Sequence, residues 1–261
     1  MEHALDEVGP PPTAVFRIGW RGDPLRPPPW SKALADGTFG NRFDDPSASD
    51  GRPEESRFRC LYCGTTMEAA FGETLARKRV PIGVLAKLAA VDVDESVDAV
   101  LAGAAIDRTE PHRPRGLISA EWQSQRQIGR TTLDPALRFA NVATRGSLQY
   151  LRFALAPVAD RLGITDVDGS TMLNPGLRAF TQACARHIYE LHEDGAPRFA
   201  GIRYVSRLDP IAWECWAIFF DRLRYTPGYP ENVMADNPAL KRVAHDFALT
   251  IEGPDGLLLP P

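Results

Sequence analysis

Phe58-Arg59-Cys60-Leu61-Tyr62-Cys63-Gly64-Thr65-Thr66-Met67-Glu68-Ala69-Ala70-Phe71-Gly72-Glu73 contains the change of period on which the fold assignment turns. Residues 58–63 read as a strand, which Gly64 stops. Thr65, with Glu68 three residues on, has capping-box spacing, so a helix is predicted from about Thr66 to Arg79, limited by Pro81.

Upstream, Val15-Phe16-Arg17-Ile18 is a short strand candidate with a cation in its middle. Residues 19–57 are rich in Pro, Gly, Asp and Ser, and contain Pro27-Pro28-Pro29-Trp30 and Phe39-Gly40-Asn41-Arg42-Phe43. Irregular stretches this long are usually functional or disordered, and the aromatics beside Arg42 argue that part of this one packs. Residues 1–13 read as a loose tail.

Downstream, residues 82–106 predict a helix broken around the acidic run Asp92–Asp98, and Arg108 to Arg115 a polar loop. Ser119 is placed to cap a helix running to Gly129, and Leu137 to Ala143 is a strand candidate. Leu148, Leu151, Leu155, Val158 and Leu162 recur at steps of three and four, one face of a helix ended by Gly163. Asn174-Pro175 opens a helix expected to reach about Glu193. Gly201 to Ser206 and Trp213 to Phe220 are strand candidates, and residues 256–261 show no period. Strands at both ends with helices between, and no βαβ alternation, predict an α+β fold with an antiparallel or mixed sheet. The expected organisation is one domain over 14–255 with helical insertions around 82–130, flanked by tails at 1–13 and 256–261.

Composition narrows the function. The 261 residues are 44% apolar and 25% charged, with net charge -4. Such a chain buries a core and is not wholly disordered. Without a basic excess, direct nucleic-acid binding is not expected. No window approaches the roughly 20 apolar residues that span a bilayer, and the N-terminus lacks the basic and apolar regions of a secretory signal. Four cysteines do not make a disulfide framework, so the expected location is the cytoplasm.

Cys60 and Cys63 have C-x-x-C spacing, but no second pair accompanies them and they sit in a predicted strand, where residues three apart face opposite sides. No metal site is expected, and no two histidines have i,i+4 spacing. Serine-hydrolase, P-loop and dinucleotide-fold signatures are absent from the sequence. Glu73 falls on the helix side opposite Phe71, among Thr66, Ala69, Ala70 and Ala76, where small neighbours leave room for an approaching group; a solvated helix face is the plainer alternative. Arg17 and Arg42, guanidinium groups among apolar and aromatic residues, suit phosphate or carboxylate recognition, or equally the satisfaction of loop carbonyls. Ser206 ends the apolar face of Ile202 and Tyr204, as a strand terminator or a ligand contact.

In order along the chain, these segments resemble the RES-domain family, named for its Arg, Glu and Ser. The likeness is carried by Val15-Phe16-Arg17-Ile18, Gly40-Asn41-Arg42-Phe43, Leu61-Tyr62 followed by Ala69-Ala70-Phe71-Gly72-Glu73, Glu121-Trp122-Gln123 through Arg126, and Gly201-Ile202-Arg203-Tyr204-Val205-Ser206-Arg207. It covers about residues 14 to 221. Asn41 departs from the second Gly of many members, and the chain has extra sequence around 19–57 and 85–120. The resemblance implies an ADP-ribosyltransferase-like fold, with mixed and antiparallel sheets and helices around an NAD cleft. It implies a bacterial toxin that cleaves the nicotinamide–ribose bond of NAD by water or inorganic phosphate, with NAD as substrate and no resident cofactor. The implied partner is an Xre-type antitoxin, with self-association an open alternative. By the same resemblance Arg17 and Arg42 hold the phosphates, Tyr62 lines the nicotinamide side, Glu73 steadies the ribose, and Ser206 positions the ribose or the nucleophile. The alternatives are ADP-ribosyl transfer to a macromolecule and a non-catalytic NAD- or partner-binding domain.

Overall fold

The structure, a computed structural model, describes residues 4–46, 53–89 and 116–259. The expected helix break at Asp92–Asp98 and the loop from Arg108 to Arg115 lie outside the described residues. In chain order the strands are β1 (Glu7–Val8), β2 (Val15–Trp20), β3 (Cys60–Gly64), β4 (Leu117–Ile118), β5 (Arg126–Leu133), β6 (Phe139–Asn141), β7 (His192–Glu193), β8 (Ala196–Pro197), β9 (Gly201–Val205), β10 (Glu214–Phe219), β11 (Tyr225–Pro227), β12 (Glu231–Asn232), β13 (Thr250–Glu252) and β14 (Leu258–Leu259). The α-helices are α1 (Met67–Leu75), α2 (Ile82–Ala89), α3 (Ala120–Ser124), α4 (Arg145–Ala154), α5 (Ala156–Arg161), α6 (Gly169–Leu173), α7 (Arg178–Glu190) and α8 (Pro238–Asp246). The fold is mixed α+β with a mostly antiparallel sheet.

Contacts divide the chain into two compact units interleaved in sequence. The first comprises residues 1–17, 25–69 and 129–229; the second comprises 18–24, 70–128 and 230–261. In the first, β1, β6, β9, β10 and β3 lie side by side, with β6 and β9 parallel and the other pairs antiparallel. β2 joins β3 through Phe16 opposite Gly64.

Alternation along β10 explains why this sheet is covered on both faces. Cys215, Ala217 and Phe219 belong to one apolar cluster with Cys60, Ile202 and Tyr204. Trp216 and Ile218 belong to another with Val15, Leu61, Cys63 and Phe139. Helices α4, α5 and α7 close the first cluster with Leu151, Leu155, Ala159, Phe180, Cys184 and Ile188. Burying each large side chain contributes about 1.5–3 kcal/mol. Gly201 in β9 is required by close approach: a Cβ there would lie 2.4 Å from the Ala217 carbonyl oxygen on β10.

Local signals place most elements, with specific corrections. Thr66, not Thr65, caps α1 by accepting the Ala69 N–H at 3.1 Å. Thr65 is still held extended by Glu214, its N–H donating to that carbonyl at 3.0 Å, and its hydroxyl accepts from Trp216 Nε1. Ser119 caps α3 as expected, but that helix ends at Ser124 and residues 126–133 form β5. The stripe from Leu148 to Leu162 is two helices, because Pro157 has no N–H to continue the first past Leu155. The helix expected to reach Glu193 ends at Glu190.

The N-terminal tail expectation is corrected in part: Leu5 is buried in the first cluster, and β1 pairs with β6. In the second unit, residues 258–259 of the expected C-terminal tail form β14 on β13, which also pairs in parallel with β4. Asn237 caps α8 through the N–H groups of Ala239 and Leu240, and its face buries Leu240 and Val243.

His187 on α7 is half-buried, with Nε2 3.0 Å from the Tyr150 hydroxyl. Burial lowers its pKa below 6.5, against a smaller opposing pull from Glu190. The unfolded chain therefore takes up this proton more readily. Stability contributed by neutral His187 is full above the unfolded value and is lost as pH falls through the folded one. Urea midpoints at pH 7.5 and pH 5.5 are expected to differ less for His187→Gln than for the wild type.

Candidate functional site

The loop carrying Arg42 is held by its own side chains together with Tyr62 of β3 and Gln182 of α7. Gly40 takes a φ of +77°, which favours glycine at the position before Asn41. The Thr38 hydroxyl accepts the Gly40 N–H at 3.2 Å. Asp44, 3% exposed, accepts the N–H groups of Phe39 at 2.9 Å and Asn41 at 2.7 Å. Its other carboxylate oxygen accepts the Asn41 side-chain amide at 3.3 Å and the Tyr62 hydroxyl at 2.9 Å. Tyr62 in turn accepts the Phe43 N–H at 3.1 Å. Burial raises the Asp44 pKa and the surrounding donors oppose it. The Tyr62 phenol is pushed well above its ordinary value, first by burial and then by the Asp44 charge, so its proton stays on the ring oxygen.

From this loop Arg42 reaches over two rings, its guanidinium 4.7 Å from the Tyr204 ring centre and 5.7 Å from that of Phe43. Nη1 donates to the Met172 carbonyl at 3.0 Å. Nη2 is buried without a hydrogen-bond partner among the described residues. The Met172 carbonyl belongs to α6, whose first turn is fixed by a capping box between Asp168 and Thr171. From α7, Gln182 Nε2 donates to the Asn41 carbonyl at 3.0 Å, pinning the loop on a second side. A buried guanidinium donor left open costs about 1–3 kcal/mol, and an anionic oxygen is the acceptor that best recovers it.

The expected site residues do not all converge. Arg42 and Tyr62 meet through the Phe43–Asp44 segment. Arg17 follows Val15 by two residues, so it faces the side of the sheet that holds Val15 and Cys63, opposite Tyr62 and Tyr204. It donates from Nη1 to the Arg26 carbonyl at 2.9 Å, and its charge acts on the Cys63 thiol. A joint grip on one diphosphate by Arg17 and Arg42 is thus not set up by the strand geometry. Ser206 is fully buried; its N–H donates to the Trp213 carbonyl and its Oγ accepts the Leu208 N–H at 3.1 Å. These two contacts fit the strand-terminating alternative. Glu73 is half-buried on α1, at a position that belongs to the second unit. Its neighbours Ala69 and Ala70 are buried.

Sequence reasoning missed Asp44 and the Met172 carbonyl. Asp44 looks like one acidic residue in a polar loop, and only the folded donors mark it. Tyr204 was visible as the strand neighbour of Ser206 on one face.

Cys60 and Cys63 lie in different apolar clusters, on the two faces of β3. Burial pushes the Cys63 thiol up to about 12, offset in part by Arg17, and raises Cys60 and Cys184 as well. All four cysteines are buried, so a thiolate-specific disulfide reagent is expected to label none in the native protein and four in denaturant. Rapid native labelling of Cys60 or Cys63 would contradict their placement. Among the described residues no helix is long and apolar enough to cross a membrane. Set against models of known families, curated proteins and solved structures, the chain matches none of the three.

Proposed function

We propose that this chain cleaves the nicotinamide–ribose bond of NAD, as an enzyme of the RES type with an ADP-ribosyltransferase-like fold. The single observation that carries the reading in three dimensions is the Arg42 guanidinium, stacked on Tyr204 with a buried Nη2 that has no hydrogen-bond partner among the described residues. The ordered motif segments and the mixed, mostly antiparallel sheet support it.

In this reading Arg42 binds the diphosphate, and the half-buried Tyr62 ring lies toward the nicotinamide. Scission leaves the bonding electron pair on nicotinamide, which departs neutral, while the ribose gains oxocarbenium character. A carboxylate stabilises that charge, the role proposed for Glu73 on the strength of the segment Ala69-Ala70-Phe71-Gly72-Glu73. Water then yields ADP-ribose and a proton; inorganic phosphate yields the 1-phosphorylated ADP-ribose. An Xre-type antitoxin is the proposed protein partner.

A second reading, a nucleotide- or partner-binding domain without turnover, is favoured by one feature: the Ser206 hydroxyl is engaged within its own turn, and the residue is buried. Incubating the purified protein with NAD, with and without phosphate, separates the two. Nicotinamide release supports the first; saturable NAD binding without release selects the second. Label from NAD retained on a macromolecule would instead identify ADP-ribosyl transfer.

A further inference from the structure

We infer that Asp44 and Tyr62 are positioning residues, a hydrogen-bonded pair that presets the loop from which Arg42 meets its anion. The inference deepens the proposed NAD reading and rests on it for the identity of the anion.

Four N–H groups in the five-residue stretch 39–43 are bound by side-chain oxygens. Phe39 and Asn41 donate to Asp44, Gly40 to Thr38, and Phe43 to Tyr62. Loops that cradle phosphate leave such N–H groups pointing at the ligand. Here they are turned inward, so the backbone is spent on holding the loop and anion recognition falls to the Arg42 side chain. The Tyr62 hydroxyl is the link between loop and sheet, because β3 fixes the ring while its oxygen both donates to Asp44 and accepts from Phe43. Cys60, two residues earlier on the same face, adds a thiol contact to the Phe43 carbonyl at 3.0 Å. Asn41 belongs to the device: its side-chain amide reaches Asp44, a contact that glycine lacks, while its backbone carbonyl accepts from Gln182. Its non-glycine identity thus tightens the loop.

Preorganisation of this kind lowers the ordering cost of binding and leaves the bond-breaking step alone. Tyr62→Phe removes the link while keeping the ring, and Asp44→Asn weakens the same acceptor. Two measurements test the pair. The first is the KM and kcat for NAD by nicotinamide release. The second is the rate at which trypsin cuts the Arg42–Phe43 bond in the native protein, which needs no NAD. Tyr62→Phe is expected to raise KM about tenfold and to speed cleavage at least about tenfold. Asp44→Asn is expected to move both in the same directions. Unchanged cleavage in Tyr62→Phe overturns the inference, as does faster cleavage with KM unchanged, or a fall confined to kcat. If the wild type neither binds NAD nor releases nicotinamide, the proposed function fails; cleavage alone then decides the pair, so the two failures are read separately.

Discussion

Glu73→Gln is expected to reduce nicotinamide release from NAD by about 10²–10³-fold, with KM little changed. The substitution keeps size and shape and removes only the charge. A carboxylate that faces a sugar gaining positive charge acts on the transition state more than on bound substrate, so the loss falls on kcat. Arg42→Ala should do the reverse: the diphosphate keeps its charge in both states, so the loss appears first in KM. Reading both kinetic constants for both variants distinguishes the roles, and an unfolding curve for each confirms that the protein still folds. Glu73→Gln with half or more of wild-type turnover would remove this residue from the chemistry, and with it the main transfer from the family resemblance.

The second large effect concerns stability. Arg186→Ala is expected to destabilise the first unit by about 3–5 kcal/mol, measured by denaturant unfolding. Arg186 on α7 reaches Asp45, one residue beyond Asp44, with Nη1 3.1 Å from Oδ2. The Asp45 side chain is fully shielded from solvent and also accepts the Phe58 N–H at 2.9 Å. The same guanidinium bonds the Ser56 carbonyl and pairs with Glu190. Removing the cation takes a close charge-assisted hydrogen bond from a shielded carboxylate, which costs far more than losing a surface pair. Arg186→Lys keeps the charge but not the fork of donors and should fall between. A loss under about 1 kcal/mol for Arg186→Ala would mean that the buried pair adds little.

Legibility in the sequence followed the range of the interactions. β9 and β10 were visible because alternation and aromatic content are local, and Gly201 could be read as strand although only its pairing with Ile218, which brings the Ala217 carbonyl oxygen close, shows why no side chain fits there. α3 was marked by Ser119, and the 3-10 turn Pro175–Leu177 that leads into α7 by Asn174, whose caps act within three residues. β5 was misread in its first half, because Arg126-Gln127-Ile128-Gly129 has no strand period until Thr131 and Thr132, and its pairing comes from residues about a hundred positions later. β1 and β14 are two-residue strands, too short for any period, and exist only through their partners.

Sequence alone sufficed for what depends on neighbours along the chain: the α+β class, the starts of α1, α2 and α3, and Arg42 as a guanidinium set among aromatics. Tertiary structure alone decided which side of the sheet Arg17 faces, that Asp44 and Asp45 are buried, and that the Ser206 hydroxyl closes a turn. The physical reason is that a face, a buried charge and a hydrogen-bond partner are each defined by groups distant in sequence, and those groups have no fixed position until the sheet is assembled.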